Sequence, residues 1–339
     1  CTCHVRDPKV WQESGCFYMI QGARMVSGQK GGEDFGAVLL FGSEDGEHWD
    51  LYNQITTPER FGYMWECPDY FCLLDERGDN VQILSLSPQG LKSEQYRYQN
   101  IYQSGYFFLN GDITLNVSLE GFTEWDMGFD FYAPQTFEDE QGRRIMIGWA
   151  GIPDADYDNE PTVREGWQHC LTVPRELTWK RGKVLQNPVS EISLLRGESV
   201  VVSEGIPQTM KEQHFDLLLT EIASSPAKIS FSPEGEEGGL TLEFQDGICT
   251  LSFVGDCRQR VGRGRLCRRL QIGNLEQVRV LVDGSIVEIY LNGGEYVFTS
   301  RYYIEGKMDL LISCKSAENR LWYMRGYEIS GTKLLMRGE

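Results

Sequence analysis

Turn signals fall about every ten residues along this chain, and the runs between them are short, aliphatic and aromatic. A helix needs a longer stretch of 3.6-residue periodicity than that rhythm leaves room for, so short strands joined by tight turns are expected. Residues 16–23 and 37–41 read as strands, separated by a Gly-rich loop from Gly28 to Gly36 and closed by Ser43-Glu44-Asp45-Gly46. Residues 81–87 and 145–150 repeat the idea, next to turns at Asp75-Glu76-Arg77-Gly78 and Glu138 to Gly142. The fold class is therefore all-β. At roughly 40–50 residues per four-stranded blade, residues 1–195 would hold about four propeller blades.

The character of the chain changes near Asn187-Pro188-Val189 to Gly197-Glu198. Beyond it, alternation dominates. Residues 240–244 and 250–253 flank Gln245-Asp246-Gly247, a hairpin turn with Asp-Gly at its centre. Residues 278–292 form a second hairpin, followed by a strand at 296–301. This pattern predicts a β-sandwich. Charge supports the division: residues 1–195 carry 30 acidic and 15 basic side chains, residues 196–339 carry 20 and 17. The expected domains are thus a propeller at 1–195 and a sandwich at 196–339.

A net charge of −18 argues against nucleic acid or an anionic membrane as partner. No apolar run approaches the length of a membrane span. The ten cysteines show no framework spacing, which favours free thiols in a reducing cytosol. Cys1, Cys3 and His4, with Cys16 nearby, do not make a metal site, because adjacent residues on an extended strand point to opposite faces and no second Cys-x-x-Cys or His pair completes four ligands. The basic run Arg258, Arg260, Arg263, Arg265, Arg268 and Arg269 reads as a loop plus a strand, serving as a solvated face or a subunit contact of a homo-oligomer.

Three segments carry chemistry: Arg6-Asp7-Pro8, Trp65-Glu66-Cys67-Pro68-Asp69 and Gly128 to Thr136. They supply carboxylates in aromatic surroundings, the equipment for cleaving a glycosidic bond. Glu66 is the candidate general acid/base, with Met64, Trp65 and Cys67 as the apolar neighbours that would raise its pKa and Pro68 fixing a turn behind it. Asp7 beside Arg6 suits a carboxylate that accepts sugar hydroxyls. Strand alternation would put Asp130 and Tyr132 on one polar face, with Gln135 nearby. Trp149 offers a flat surface to a sugar ring, or a core Trp at a blade edge.

In order and wording these segments resemble glycoside hydrolase family 32, the invertase and sucrose-6-phosphate hydrolase family. So do Val282-Asp283-Gly284-Ser285-Ile286-Val287-Glu288-Ile289 and Thr299-Ser300-Arg301 in the second half. The resemblance implies a five-bladed β-propeller, here partial, followed by a C-terminal β-sandwich. It implies a retaining β-fructofuranosidase with Glu66 as acid/base, Asp7 as transition-state stabiliser, and Arg6, Cys67, Asp130, Tyr132 and Trp149 around the sugar. The substrates implied are sucrose, sucrose 6-phosphate or short fructo-oligosaccharides, in the cytoplasm, without metal or cofactor. The family's nucleophile lies in a Trp-Met-Asn-Asp-Pro-Asn-Gly stretch that these 339 residues do not contain, so the chain is expected to be a fragment of a longer enzyme and inactive alone. The other reading is a non-catalytic sugar-binding protein. Propeller families acting on arabinosides or xylosides are disfavoured by the intact Glu66-Cys67-Pro68-Asp69.

Overall fold

The computed structural model describes residues 2–28, 32–222, 226–325, 327–330 and 333–336, the last two stretches as backbone only. Part of the Gly-rich loop and Cys1 lie outside the described residues. The chain is all-β and divides into two compact units. The first holds Cys1–Asp126, Phe131–Asp154 and Leu177–Val184; the second holds Met127–Asp130, Ala155–Glu176 and Leu185–Glu339. The expected single boundary at 195/196 is therefore not how the contacts divide. The segment Met127–Asp130 leaves the propeller half because its partners lie late in the chain: Phe129 joins the second unit's core and Asp130 pairs with Arg265.

The first unit is built as up-and-down antiparallel sheets. Val5–Glu13, Cys16–Met25, Phe35–Ser43 and Asp50–Ile55 pair in sequence order. Met64–Leu74, Asn80–Gln89, Gly105–Gly111 and Val117–Glu124 do the same. A third sheet is founded on the hairpin Tyr132–Glu138 and Arg144–Ala150, with the turn-proximal halves of Arg175–Lys180 and Lys183–Pro188 in this unit. These are three blades, where the repeat length suggested about four. The inner strands run to 9 and 11 residues, and the first strands of successive blades begin at Val5, Met64 and Tyr132, so each blade consumes more chain than the usual period.

Trp65 is the keystone between the first two blades. Its indole is fully buried against Val38, Leu40 and Phe107, and Nε1 donates to the Phe61 carbonyl at 2.6 Å. It fits because Gly36 carries no side chain: a Cβ there would lie 2.2 Å from Trp65 Cδ1.

At the end of the second blade, Glu124 accepts the Tyr98 N–H with both oxygens at 3.1 Å. Burial pushes its carboxyl up to about 7, against the lowering effect of that N–H and of Arg97. A raised carboxyl pKa means the folded state holds a proton the unfolded chain has released. Its contribution is thus present below the unfolded value and is lost as pH rises through about 7. Glu124→Gln is expected to gain about 1–3 kcal/mol relative to the parent at pH 8 compared with pH 5. Urea unfolding at the two pH values checks this; an equal difference at both would refute it.

The second unit is a sandwich of two six-stranded antiparallel sheets. One runs Arg196–Val201, Glu318–Met324, His214–Thr220, Gln277–Asp283, Ile286–Leu291 and Tyr296–Arg301. The other runs Gln208–Thr209, Met308–Ser313, Ala227–Pro233, Gly239–Gln245, Ile248–Val254 and Cys267–Gln271. Alternate positions such as Phe215, Leu217 and Leu219 meet Ile229, Phe231, Leu240 and Leu242 in one core. The Asp246-Gly247 hairpin forms as expected, both residues having positive φ (51° and 77°) with Gln245 opposite Ile248.

The basic run departs from expectation. It opens as a five-residue helix, Arg258–Gly262, before the strand Cys267–Gln271. Arg265 is fully buried and the partly buried Arg268 lies 4.2 Å over the Phe129 ring, whereas Arg258, Arg260 and Arg269 are exposed as expected. The nine described cysteines are all unbridged. Among the described residues no helix is long and apolar enough to cross a membrane.

Candidate active site

The first strand of each blade breaks its register at the same kind of place. Pairing slips between Arg6 and Lys9 in the first blade, and between Glu66 and Asp69 in the second. In the third it slips where Trp149 faces Tyr132 and Ile147 faces Gln135. Each slip contains an X-Pro pair: Asp7-Pro8, Cys67-Pro68 and Ala133-Pro134. The residue before proline has positive φ in all three, 60° at Asp7, 47° at Cys67 and 49° at Ala133. Positive φ is unfavourable for residues with a side chain, and a following proline restricts them further. A bulge of this kind re-aims the neighbouring side chains, and here it does so three times. The recurrence of X-Pro at 7, 67 and 133 marks the same bulge in all three blades.

The re-aimed residues meet. Arg6 Nη1 donates to Glu66 Oε1 at 3.0 Å. Tyr132 OH and Gln89 Nε2 donate to Glu66 Oε2 at 2.6 and 2.8 Å. Asp7 Oδ2 accepts the Cys67 backbone N–H at 3.0 Å, with the Cys67 thiol at 3.5 Å. Gln135 Nε2 donates to the Cys67 carbonyl at 3.2 Å. Glu66 keeps 13% of its side chain exposed, enough for one face to reach a ligand. The Tyr132 ring lies 5.8 Å from that of Tyr102 and 6.4 Å, edge-on, from that of Trp149. Tyr102 OH in turn donates to Asp154 at 2.9 Å.

The protonation states follow from these contacts. Burial, then the Glu66 carboxylate, holds the Tyr132 phenol far above its ordinary range, so it stays a donor. Burial, then Asp7 and Glu66, holds the Cys67 thiol protonated and therefore not nucleophilic. Tyr102 is pushed up to about 12 by burial and by Asp154.

Several expectations are corrected. Met64 and Trp65 do not enclose the Glu66 carboxylate; both are turned into the core, and Glu66 is met by Arg6, Gln89 and Tyr132 instead. Arg6 pairs with Glu66, at 3.0 Å, across the register slip that follows it in the first blade. Asp130 is not brought to this site. It is fully buried in the second unit, where Arg265 Nε and Nη2 bond its two oxygens at 2.8 and 2.7 Å and the Arg301 N–H adds a third bond at 2.7 Å. Strand alternation does not hold here because residues 128–131 are not strand: the chain crosses between units there, Phe129 entering one core and Phe131 another. Gln89 was missed, since nothing in its local sequence marks it; it arrives because the strand Asn80–Gln89 pairs with Met64.

Residues 1–188 match the glycosyl hydrolases family 32 N-terminal domain, and residues 230–319 match the glycosyl hydrolases family 32 C terminal. The chain is 38% identical over 317 residues to the sucrose-6-phosphate hydrolase of Bacillus subtilis (strain 168), covering 89% of this chain and 62% of that one. It is 34% identical to the sucrose-6-phosphate hydrolase of Staphylococcus xylosus, covering 97% of this chain and 66% of that one. The chain therefore spans less than two thirds of the length of these relatives.

Among solved structures, the sucrose-6-phosphate hydrolase from Lactobacillus gasseri superposes with a TM-score of 0.79 at 26% identity, covering 95% of this chain and 66% of that one. The Bombyx mori family 32 β-fructofuranosidase gives 0.76 at 26% identity, covering 94% and 66%. A mutant of the latter in complex with sucrose gives 0.75 at 26% identity, with the same coverage. By its two matching domains, this chain belongs to glycosyl hydrolase family 32.

Proposed function

We propose that this chain is the acid/base-bearing part of a retaining β-fructofuranosidase, with sucrose 6-phosphate as the first substrate to test and sucrose and short fructans after it. The observation that carries the reading is the Glu66 carboxylate held between Arg6 and Tyr132, with Asp7 in the adjoining bulge. Glu66 protonates the leaving oxygen of the fructosidic bond and later takes a proton from water. Asp7, fixed by the Cys67 N–H, presents its remaining acceptor capacity to fructose hydroxyls and steadies the positive charge of the transition state. Tyr102, Tyr132 and Trp149 wall the sugar. The names of the similar proteins support the choice of substrate, and the unbridged cysteines support a reducing, cytoplasmic setting.

A retaining mechanism needs a further carboxylate as nucleophile. These 339 residues hold no Asn-Asp-Pro-Asn stretch, and Asp7 and Glu66 have other roles. The test is hydrolysis of sucrose 6-phosphate, sucrose and inulin by two proteins: the product of the complete gene and the 339-residue chain. Turnover by the first and none by the second is expected. No turnover of any substrate by the complete product would sink the reading, and turnover by the 339 residues alone would sink the assignment of roles.

A further inference from the structure

A second set of contacts joins the same three bulges, and the reaction just described makes no use of it. Lys9, Asp69 and Thr136 follow the three X-Pro pairs closely along their strands. Lys9 Nζ donates to the Thr136 carbonyl at 2.5 Å and lies 3.4 Å from Asp69 Oδ1. The Thr136 N–H donates to Asp69 Oδ2 at 2.6 Å. Asp69 is fully buried. Burial pushes its carboxyl up, and the Lys9 ammonium is the largest effect opposing that. Asp69 Oδ1 and Thr136 Oγ1 have no hydrogen-bond partner, and after the Lys9 ammonium it is Thr136 and then the Arg144 charge that favour the ionised carboxylate.

A buried ion pair of this kind is weak evidence for added stability, since apolar residues of the same volume often serve as well. Its distinctive property is geometric. One ammonium reaches a backbone carbonyl of the third blade and a carboxylate of the second from a strand of the first. The bulges it joins are the ones that aim Arg6, Glu66 and Tyr132. We infer that Lys9 is a positioning residue for the acid/base: through Asp69 and Thr136 it fixes how the Cys67 and Ala133 bulges sit against the Asp7 bulge, and so where the Glu66 carboxyl stands relative to the leaving oxygen. This rests on the proposed role of Glu66 and goes beyond it.

The test compares two substrates in the complete gene product. Sucrose has a leaving group that needs a proton; a p-nitrophenyl β-fructofuranoside has one that departs without it. In Lys9→Met, sucrose turnover is expected to fall by about 10–100-fold, because a displacement of the order of 1 Å is enough for such a loss, while the activated substrate is nearly spared. Lys9→Gln, which still donates to Thr136 but carries no charge, gives the same comparison if Lys9→Met does not fold. Equal losses on both substrates, unchanged sucrose turnover, or failure of both variants to fold would overturn the inference and leave the cluster a structural one. If the parent enzyme cleaves neither substrate, it is the fructosidase reading that fails, and the two failures are distinguishable.

Discussion

Glu66→Gln in the complete gene product should lower turnover of sucrose 6-phosphate by about 10²–10⁴-fold and leave sugar affinity within a few fold. Gln keeps the size of Glu and one acceptor oxygen, so the bond from Arg6 or from Tyr132 survives in part. It cannot deliver a proton to a departing alkoxide. Asp7→Asn should act differently, weakening binding and turnover together, because the charge lost is the one facing the sugar and the transition state. Steady-state kinetics with a direct binding measurement separate the two patterns. A Glu66→Gln enzyme with near-parental turnover would remove Glu66 from the mechanism.

Asp130→Ala should have its large effect on stability and none on sugar binding. The Arg265–Asp130 pair is fully buried on both sides, and Arg265 also lies 4.1 Å over the Tyr157 ring. Removing the carboxylate strands a guanidinium in the interior and leaves the Arg301 N–H without its acceptor. Breaking a buried pair in this way costs about 3–5 kcal/mol. Chemical unfolding measures the loss, and binding to sucrose at a temperature where the variant is folded measures the rest. An intact stability with weakened binding would restore Asp130 to the sugar site.

What could be read from the sequence was what is local. The rhythm of turns gave the strands, the Asp246-Gly247 pair gave its hairpin, and Glu66 and Asp7 stood out through the words around them. What could not be read was each residue's partner. Arg6 finds Glu66 sixty positions away, and Arg265 finds Asp130 across 135. Neither pairing leaves a trace in local periodicity. The error at Asp130 has the same origin. Alternation describes a residue only while the strand lasts, and residues 128–131 had left it. The blades number three and not about four because this chain's own period, set by the spacing of the X-Pro pairs at 7, 67 and 133, is longer than the general one.

The interleaving of the two units bears on synthesis. A ribosome delivers Phe129 and Asp130 long before the strands that receive them: Phe129 packs with residues beyond 200, and Asp130 waits for Arg265. Until then a carboxylate and an aromatic ring that end fully buried stand open to solvent. Leu177, which closes a core with Phe71 and Met146, comes after the excursion at Ala155–Glu176. Neither unit can be completed by the growing chain on its own, and an expression clone cut at residue 195 would carry the sandwich's Phe129 and Asp130 without the core and the arginine they require.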